Sequence, residues 1–229
     1  GSCQYPAGLL DREPAWRAYA DLCHQLQSAD DNRGHSRPDL LLLAGDQVYV
    51  DATAGLLDPA ERDDRYNKPY ERWLSDPAVA EVSRQMVMAA TLDDHEIADN
   101  WEPVHAGAYR QQQLDLLRQR HAGLLAHWRL HPEERYRRAR AELAHRPDLL
   151  PRMPPTWQDF QWHGFPIFMA DSRASRWSRD ARRLTAEASR PHPRLLGRAQ
   201  TEALYPWLLE QLERPRLIVR GSLLLPRHR

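Results

Sequence analysis

Apolar residues recur along this chain in two rhythms. Trp16, Tyr19, Ala20, Cys23 and Leu26 fall three and four residues apart. That spacing predicts a helix over residues 14–28, with Pro14 in its first turn. Cys23 lies on the apolar face and reads as a buried core thiol. Asn32, Gly34 and Pro38 then mark a loop. Residues 39–50 read D-L-L-L-L-A-G-D-Q-V-Y-V. A short solid apolar run bounded by turn residues predicts a strand buried on both faces. Residues 86–92 (M-V-M-A-A-T-L) and 165–170 (F-P-I-F-M-A) predict two more strands, and residues 217–225 a last one. Helices alternating with buried strands suggest βαβ units and a parallel sheet.

Other stretches follow the helical period or none. Leu114, Leu117, Leu124 and Trp128 form an apolar stripe in a predicted helical region over residues 108–146. Its Arg-rich end sets Glu133 four residues before Arg137 and Glu134 four before Arg138, which suits a solvated helix. Residues 147–155 are a proline-rich break. Ala203, Leu204, Trp207, Leu208 and Leu212 predict an amphipathic helix over residues 199–212. Residues 52–82 are polar and rich in Pro, Asp and Arg, so they predict a surface excursion with one or two short helical turns. No internal repeat or low-complexity tract is visible.

Composition narrows the classes. The chain has 229 residues, with 32 Lys plus Arg against 32 Asp plus Glu, so its formal charge is zero. Domains that bind nucleic acid by bulk charge are usually clearly basic. Mean hydropathy is −0.75, and the apolar run from Leu40 to Ala44 is far short of the roughly 20 residues of a membrane helix. Hydrophobic residues make up 41%, enough for a packed core. Cys3 and Cys23 are the only cysteines, which precludes a disulfide framework. Lys68 is the only lysine, a bias read as codon usage. The chain starts Gly1-Ser2-Cys3 and stops at Arg229, just past an apolar run. Both ends read as cuts, so the expectation is part of a longer domain. The compartment is left open, with a cytoplasmic location weakly favoured and export expected if a signal lies upstream.

Candidate chemistry follows three of the predicted strands. G-D-Q-V-Y-V-D stands at residues 45–51, D-D-H-E-I-A-D-N-W at 93–101 and D-S-R at 171–173. In open α/β sheets, ligand sites form outside the carboxyl ends of strands. Carboxylates and imidazole are ligands for divalent and trivalent ions. Gly45 lets the backbone turn sharply before Asp46. Four ionisable residues in a row at 93–96 repel one another unless a cation or water relieves them. Blander readings exist for each piece. The acidic run could cap a helix starting at Glu96, and Asp171 with Arg173 could be a surface ion pair. The three clusters together favour one shared metal site.

These motifs, with S-C-Q at residues 2–4, D-S-R-A-S-R at 171–176 and L-G-R-A-Q-T-E-A-L-Y-P-W-L at 196–208, resemble the PhoD-like (alkaline phosphatase D) family of metallophosphoesterases. They stand in the family's order over most of the chain, and D-D-H-E-x-x-x-N-W is the most specific. The resemblance implies a four-layer α/β/β/α sandwich, here a single partial domain over residues 1–229, incomplete at its C-terminus, with a helical insertion at about 105–150. It implies a phosphatase or phosphodiesterase that hydrolyses a small phosphate ester through a metal-bridging hydroxide. Two or more metal ions are implied, Fe³⁺ with Ca²⁺ or other divalent ions. By the resemblance, Asp46 bridges two metals, Asp94 holds the second metal, and Cys3 and Tyr49 are thiolate and phenolate ligands. His95 stands next to the leaving group as the general acid, and Arg173 grips phosphoryl oxygens. Asp51 and Asn100 are implied to orient the ligands.

One departure stands out. The family carries a further G-D-x-H motif downstream of the strand matching residues 217–225, and this sequence ends before it. Two further readings therefore accompany the hydrolase. One is a non-catalytic relative of the same fold. The other is an Arg-rich helical interaction module around residues 108–146. Oligomeric state is not legible in the sequence.

Overall fold

The computed structural model describes residues 3–4, 16–31, 37–51, 62–101, 157–173, 176, 195–210 and 214–221. The first helix, α1 (Arg17–Asp31), buries Tyr19 and Leu26 on one face. Cys23 shares that face but is only half-buried, and its thiol donates to the Ala78 carbonyl at 3.5 Å. The expected buried thiol therefore sits at the margin of the core.

Strands β1 (Leu40–Ala44) and β2 (Val87–Thr91) pair in parallel, with Leu40 opposite Val87 and Ala44 opposite Thr91. Parallel pairing needs a long crossover, and two helices supply it: α2 (Arg62–Ser75) and α3 (Pro77–Gln85). Here the expected surface excursion is corrected. Tyr70, Trp73, Val79 and Val82 are buried in the main core, and Trp73 is 1% exposed. The error has a clear cause. These helices carry few apolar residues, at a spacing of three, among many polar ones. Their junction was nonetheless written in the sequence. Asp76 caps α3 by accepting from the Ala78 and Val79 amides at 2.9 and 3.1 Å, and Pro77 sits in the first turn.

Side chains alternate across this sheet. Leu41, Leu43, Met88 and Ala90 join the core under the helices, whereas Leu40, Leu42 and Ala89 pack against a second sheet. That sheet runs β3 (Gln158–Trp162), β4 (Phe165–Met169), β5 (Leu217–Val219), antiparallel then parallel. Strand β3 is absent from the sequence reading. It lacks a solid apolar run: of the inward-facing Gln158, Phe160 and Trp162, only the last two are apolar. A two-residue turn joins it to β4 through His163 (φ 49°) and Gly164 (φ 77°), the left-handed pair that tight hairpins require.

Phe160, Trp162, Ile167, Met169 and Val219 face the first sheet. On the opposite face Phe168 stacks against Trp157 at 5.5 Å and meets Trp207 of α4 (Arg198–Leu209) at 5.4 Å. Polar bonds also tie the sheets: Gln158 Nε2 donates to the Ala90 carbonyl at 2.9 Å, and Thr91 Oγ1 to that of Ala170 at 3.2 Å. The architecture is thus mixed α/β with two sheets, helices on one outer face and α4 on the other. The predicted helical region 108–146, the break at 147–155 and the insertion at about 105–150 lie outside the described residues. So does the end of the predicted strand beyond residue 221. No helix among the described residues is long and apolar enough to cross a membrane.

The core makes a graded prediction. Trp73→Ala should destabilise the fold by about 3–5 kcal/mol, because it empties the largest fully buried side-chain volume. Asp76→Ala, which removes only a cap, should cost about 1 kcal/mol. Denaturant midpoints at constant slope check the order, and a Trp73→Ala loss no larger than that of Asp76→Ala would contradict this packing.

Candidate metal centre

The loops after β1, β2 and β4 meet at one end of the sheets, where the sequence placed its three polar clusters. The turn after β1 is tight. Gly45 has φ 96° and Asp46 has φ 56°. A left-handed conformation costs a non-glycine residue roughly 1–2 kcal/mol, so something must hold Asp46 there. Its carbonyl accepts from the Gln4 amide at 2.8 Å, and its Oδ1 accepts from the His95 amide at 3.4 Å. The Gln4 side chain is itself anchored, its Oε1 accepting from Tyr19 Oη at 2.8 Å. This anchorage draws Cys3 into the site, where its thiol donates to Asp46 Oδ2 at 3.3 Å.

The second cluster forms turns rather than the N-terminus of a helix. The Asp94 carbonyl accepts from the Ile97 and Ala98 amides at 2.8 and 2.9 Å. Asp94 Oδ2 accepts from the Asn100 amide at 2.7 Å. Glu96 is fully buried. Its Oε1 accepts from the Gln47 amide at 2.7 Å and its Oε2 from the Asp93 amide at 2.9 Å. Burial first, then the charge of Asp46, push the Glu96 carboxyl up to about 8, against the pull of those two amides. A cation on Asp46 would remove the repulsive part.

Asp46, Asp94 and His95 each offer a ligand atom, and all three atoms lie within 4.8 Å of one another. Burial and then Asp93 raise the Asp46 carboxyl above the usual carboxylate range. Such a cluster, short of positive charge, suits a hard cation. The His95 ring stacks on Tyr49 with centroids 4.1 Å apart. Burial, then Asp46 and Cys3, push the Tyr49 phenol upward. His95 Nδ1 lies 2.9 Å from Asp51 Oδ2. Burial works against charge on His95, but Asp51 outweighs it and lifts the imidazole above its ordinary value.

Arg173 departs from the expected arrangement. The surface ion pair with Asp171 is corrected: both residues are buried, and Asp171 Oδ1 accepts from the Arg173 amide at 2.7 Å. The guanidinium turns inward to Asp93, to Asp94 Oδ1 at 2.8 Å and to the Trp101 carbonyl at 3.2 Å. Burial opposes its charge, but the bond to Asp93 and the charges of Asp93 and Asp94 prevail and raise its pKa. Cys3, Asp46, Tyr49, Asp94, His95 and Arg173 are therefore drawn to one end of the sheets.

Sequence reasoning singled out neither Glu96 nor Gly221 in this arrangement. Glu96 makes the reach-back half of a capping box without the helix, so its spacing from Asp93 was a usable signal. Gly221 carried none. A Cβ there would meet Asp93 Cγ at 2.6 Å, and one on Gly45 would meet Asp93 Cβ at 2.5 Å. Asp93 is thus gripped between two backbones that come close only because both residues are glycine.

Comparison with known proteins bears on this geometry. A family model described as PhoD-like phosphatase matches residues 15–224. A solved structure described as the structure of PhoD aligns with a TM-score of 0.53 at 16% identity. The alignment covers 91% of this chain and 38% of that one. At that identity the likeness speaks to the fold. No curated protein matches.

The glycine grip is testable. Gly221→Ala should cost about 1–3 kcal/mol through overpacking against Asp93. Gly45→Ala should cost more, because it adds a left-handed alanine to the same clash. Thermal unfolding of both variants ranks them, and parent-like midpoints would refute the close approach.

Proposed function

We infer the function from one premise: this chain belongs to the PhoD-like phosphatase family. The reading is metal-dependent hydrolysis of a small phosphate mono- or diester by the domain to which this chain contributes. The carrying observation is the cluster of Asp46, Asp94 and His95 within 4.8 Å. The chain spans 38% of the length of the solved PhoD chain, so whole-domain activity is part of the proposal. The four-layer α/β/β/α sandwich belongs to the same reading. It is supported by α1–α3 on one outer face, α4 on the other and two packed sheets between.

The residues fit a metal centre. Asp46 and Asp94 would hold the ions, and Cys3 and Tyr49 would extend the set, with Cys3 as a thiolate and Tyr49 as a phenolate. Hard carboxylates beside a thiolate suit a mixed pair such as Fe³⁺ with Ca²⁺. When bound, two ions supply Lewis-acid charge and lower the pKa of water at the site.

The chain's own groups do the rest. Asp51 takes the Nδ1 side of His95, and Nε2, 3.8 Å from the exposed Asp99 carboxylate, would pass the proton to a leaving alkoxide. The Tyr49 ring restrains the imidazole plane. Arg173, with its donors on Asp93 and Asp94, is better suited in this arrangement to fixing Asp94 than to gripping phosphoryl oxygens. Its expected phosphate contact would require it to release those carboxylates.

Activity is the first test. With Fe³⁺ and Ca²⁺ supplied, the whole domain to which this chain contributes should hydrolyse a chromogenic phosphodiester, and chelation should abolish turnover. No hydrolysis from that metal-loaded domain would sink the reading. His95→Ala should lower turnover roughly 10²-fold or more; near-parent rates would remove His95 from the acid role. Cys3→Ser should lower iron content by elemental analysis, whereas unchanged iron would exclude ligation by the thiol.

A further inference from the structure

We propose that Glu96 is the positioning residue that sets the separation of the two metal-bearing turns, by binding the backbone of both with one buried carboxylate. The proposal rests on the metal reading above and adds a residue to it. Glu96 touches neither substrate nor metal in this account. It acts through the residues next to the ligands.

Gln47 follows Asp46 directly, and Asp93 precedes Asp94 directly. The Gln47 amide reaches Glu96 Oε1 at 2.7 Å, and the Asp93 amide reaches Oε2 at 2.9 Å. The two oxygens of one planar group are a fixed distance apart, so the two amides are held in fixed relation. Glu96 is 0% exposed, so water does not compete for either bond. An unpaired buried amide bears its full desolvation penalty, so neither turn releases the carboxylate readily.

Two observations bear on such a brace. Asp46 sits at φ 56°, a left-handed conformation that costs a non-glycine residue free energy. Gln47 is also tied on its far side, its Nε2 donating to the Thr91 carbonyl at the end of β2 at 3.0 Å. The turn after β1 is therefore bound to the end of β2 by the Gln47 side chain, and to the turn after β2 through Glu96. Arg173 braces the Asp93 and Asp94 side chains, but only Glu96, among the described side chains, bonds the backbone amides next to both Asp46 and Asp94.

The test uses Mn²⁺ as probe, titrated calorimetrically into metal-free chain. Glu96→Gln keeps the size of the side chain but sets an amide NH₂ against one backbone N–H. Its Mn²⁺ affinity should fall about 10–100-fold, the usual effect of losing a group that orients ligands. Val82→Ala, in the core away from the site, should lower the thermal midpoint without weakening Mn²⁺ binding. Equal weakening in both variants at matched midpoints would make the effect mere stability and overturn the proposal. So would Glu96→Gln affinity within twofold of the parent.

Amide hydrogen exchange on the parent chain supplies a measurement that no folding failure can spoil. The Gln47 and Asp93 amides should be as protected as those inside β1 and β2. Rapid exchange at either amide would overturn the brace. A parent that binds no Mn²⁺ would defeat the metal reading itself, and with it the positioning role, while protection of the two amides would still show the brace to be built.

Discussion

Carboxylate crowding at the strand ends is the constraint on which the rest of the structure turns. Asp46, Asp93, Asp94 and Glu96 are all buried. Two unit charges 4 Å apart interact by about 4 kcal/mol at an effective dielectric of 20. Several such repulsions together rival the stability of a whole domain. The fold answers with Arg173 against Asp93 and Asp94, with backbone amides on Glu96 and Asp94, and with the His95 imidazole, which Asp51 holds at Nδ1. Asp46 is left with weaker support, a thiol and a long amide contact. The residual negative charge lies where a cation would bind.

That arrangement requires close backbone approach from two strands. Gly45 after β1 and Gly221 after β5 both press on Asp93. One belongs to the first sheet's strand ends and the other to the second sheet's. The site therefore reports on the packing of the two sheets, and the Thr91–Ala170 and Gln158–Ala90 bonds matter beyond their small individual energies. They hold the carboxyl ends of β2 and β4 in the relation the site needs.

The elements most legible in the sequence were those with one dominant signal. The four leucines of β1, the apolar run of β2 and the F-P-I-F-M of β4 could each be read as a buried strand. The helical spacing in α1 and α4 was equally plain. Strand β3 was missed because Phe160 and Trp162 alone, flanked by Gln and Asp, do not make a run. Helices α2 and α3 were misjudged because Tyr70, Trp73, Val79 and Val82, the residues they bury among those described, stand among many polar neighbours and look like a polar loop. At the site, Asp46, Asp94 and His95 stood out by position after apolar runs. The destination of Arg173 did not, because its partners lie 79 and 80 residues away.

Local pattern thus settled the buried runs of β1, β2 and β4, where those three strands end, and which acidic and imidazole groups follow those ends. Periodicity and turn chemistry are short-range properties, and a chain carries them without reference to the rest of itself. Tertiary structure decided the pairings. It turned Arg173 inward, set Glu96 across two turns, and made Gly221 a neighbour of Asp93. Each of these depends on how two sheets stack, which brings together residues that no spacing rule connects. The charge surplus at Asp46 exists only once those partners are assigned, because a carboxylate's environment is set by what the fold packs around it.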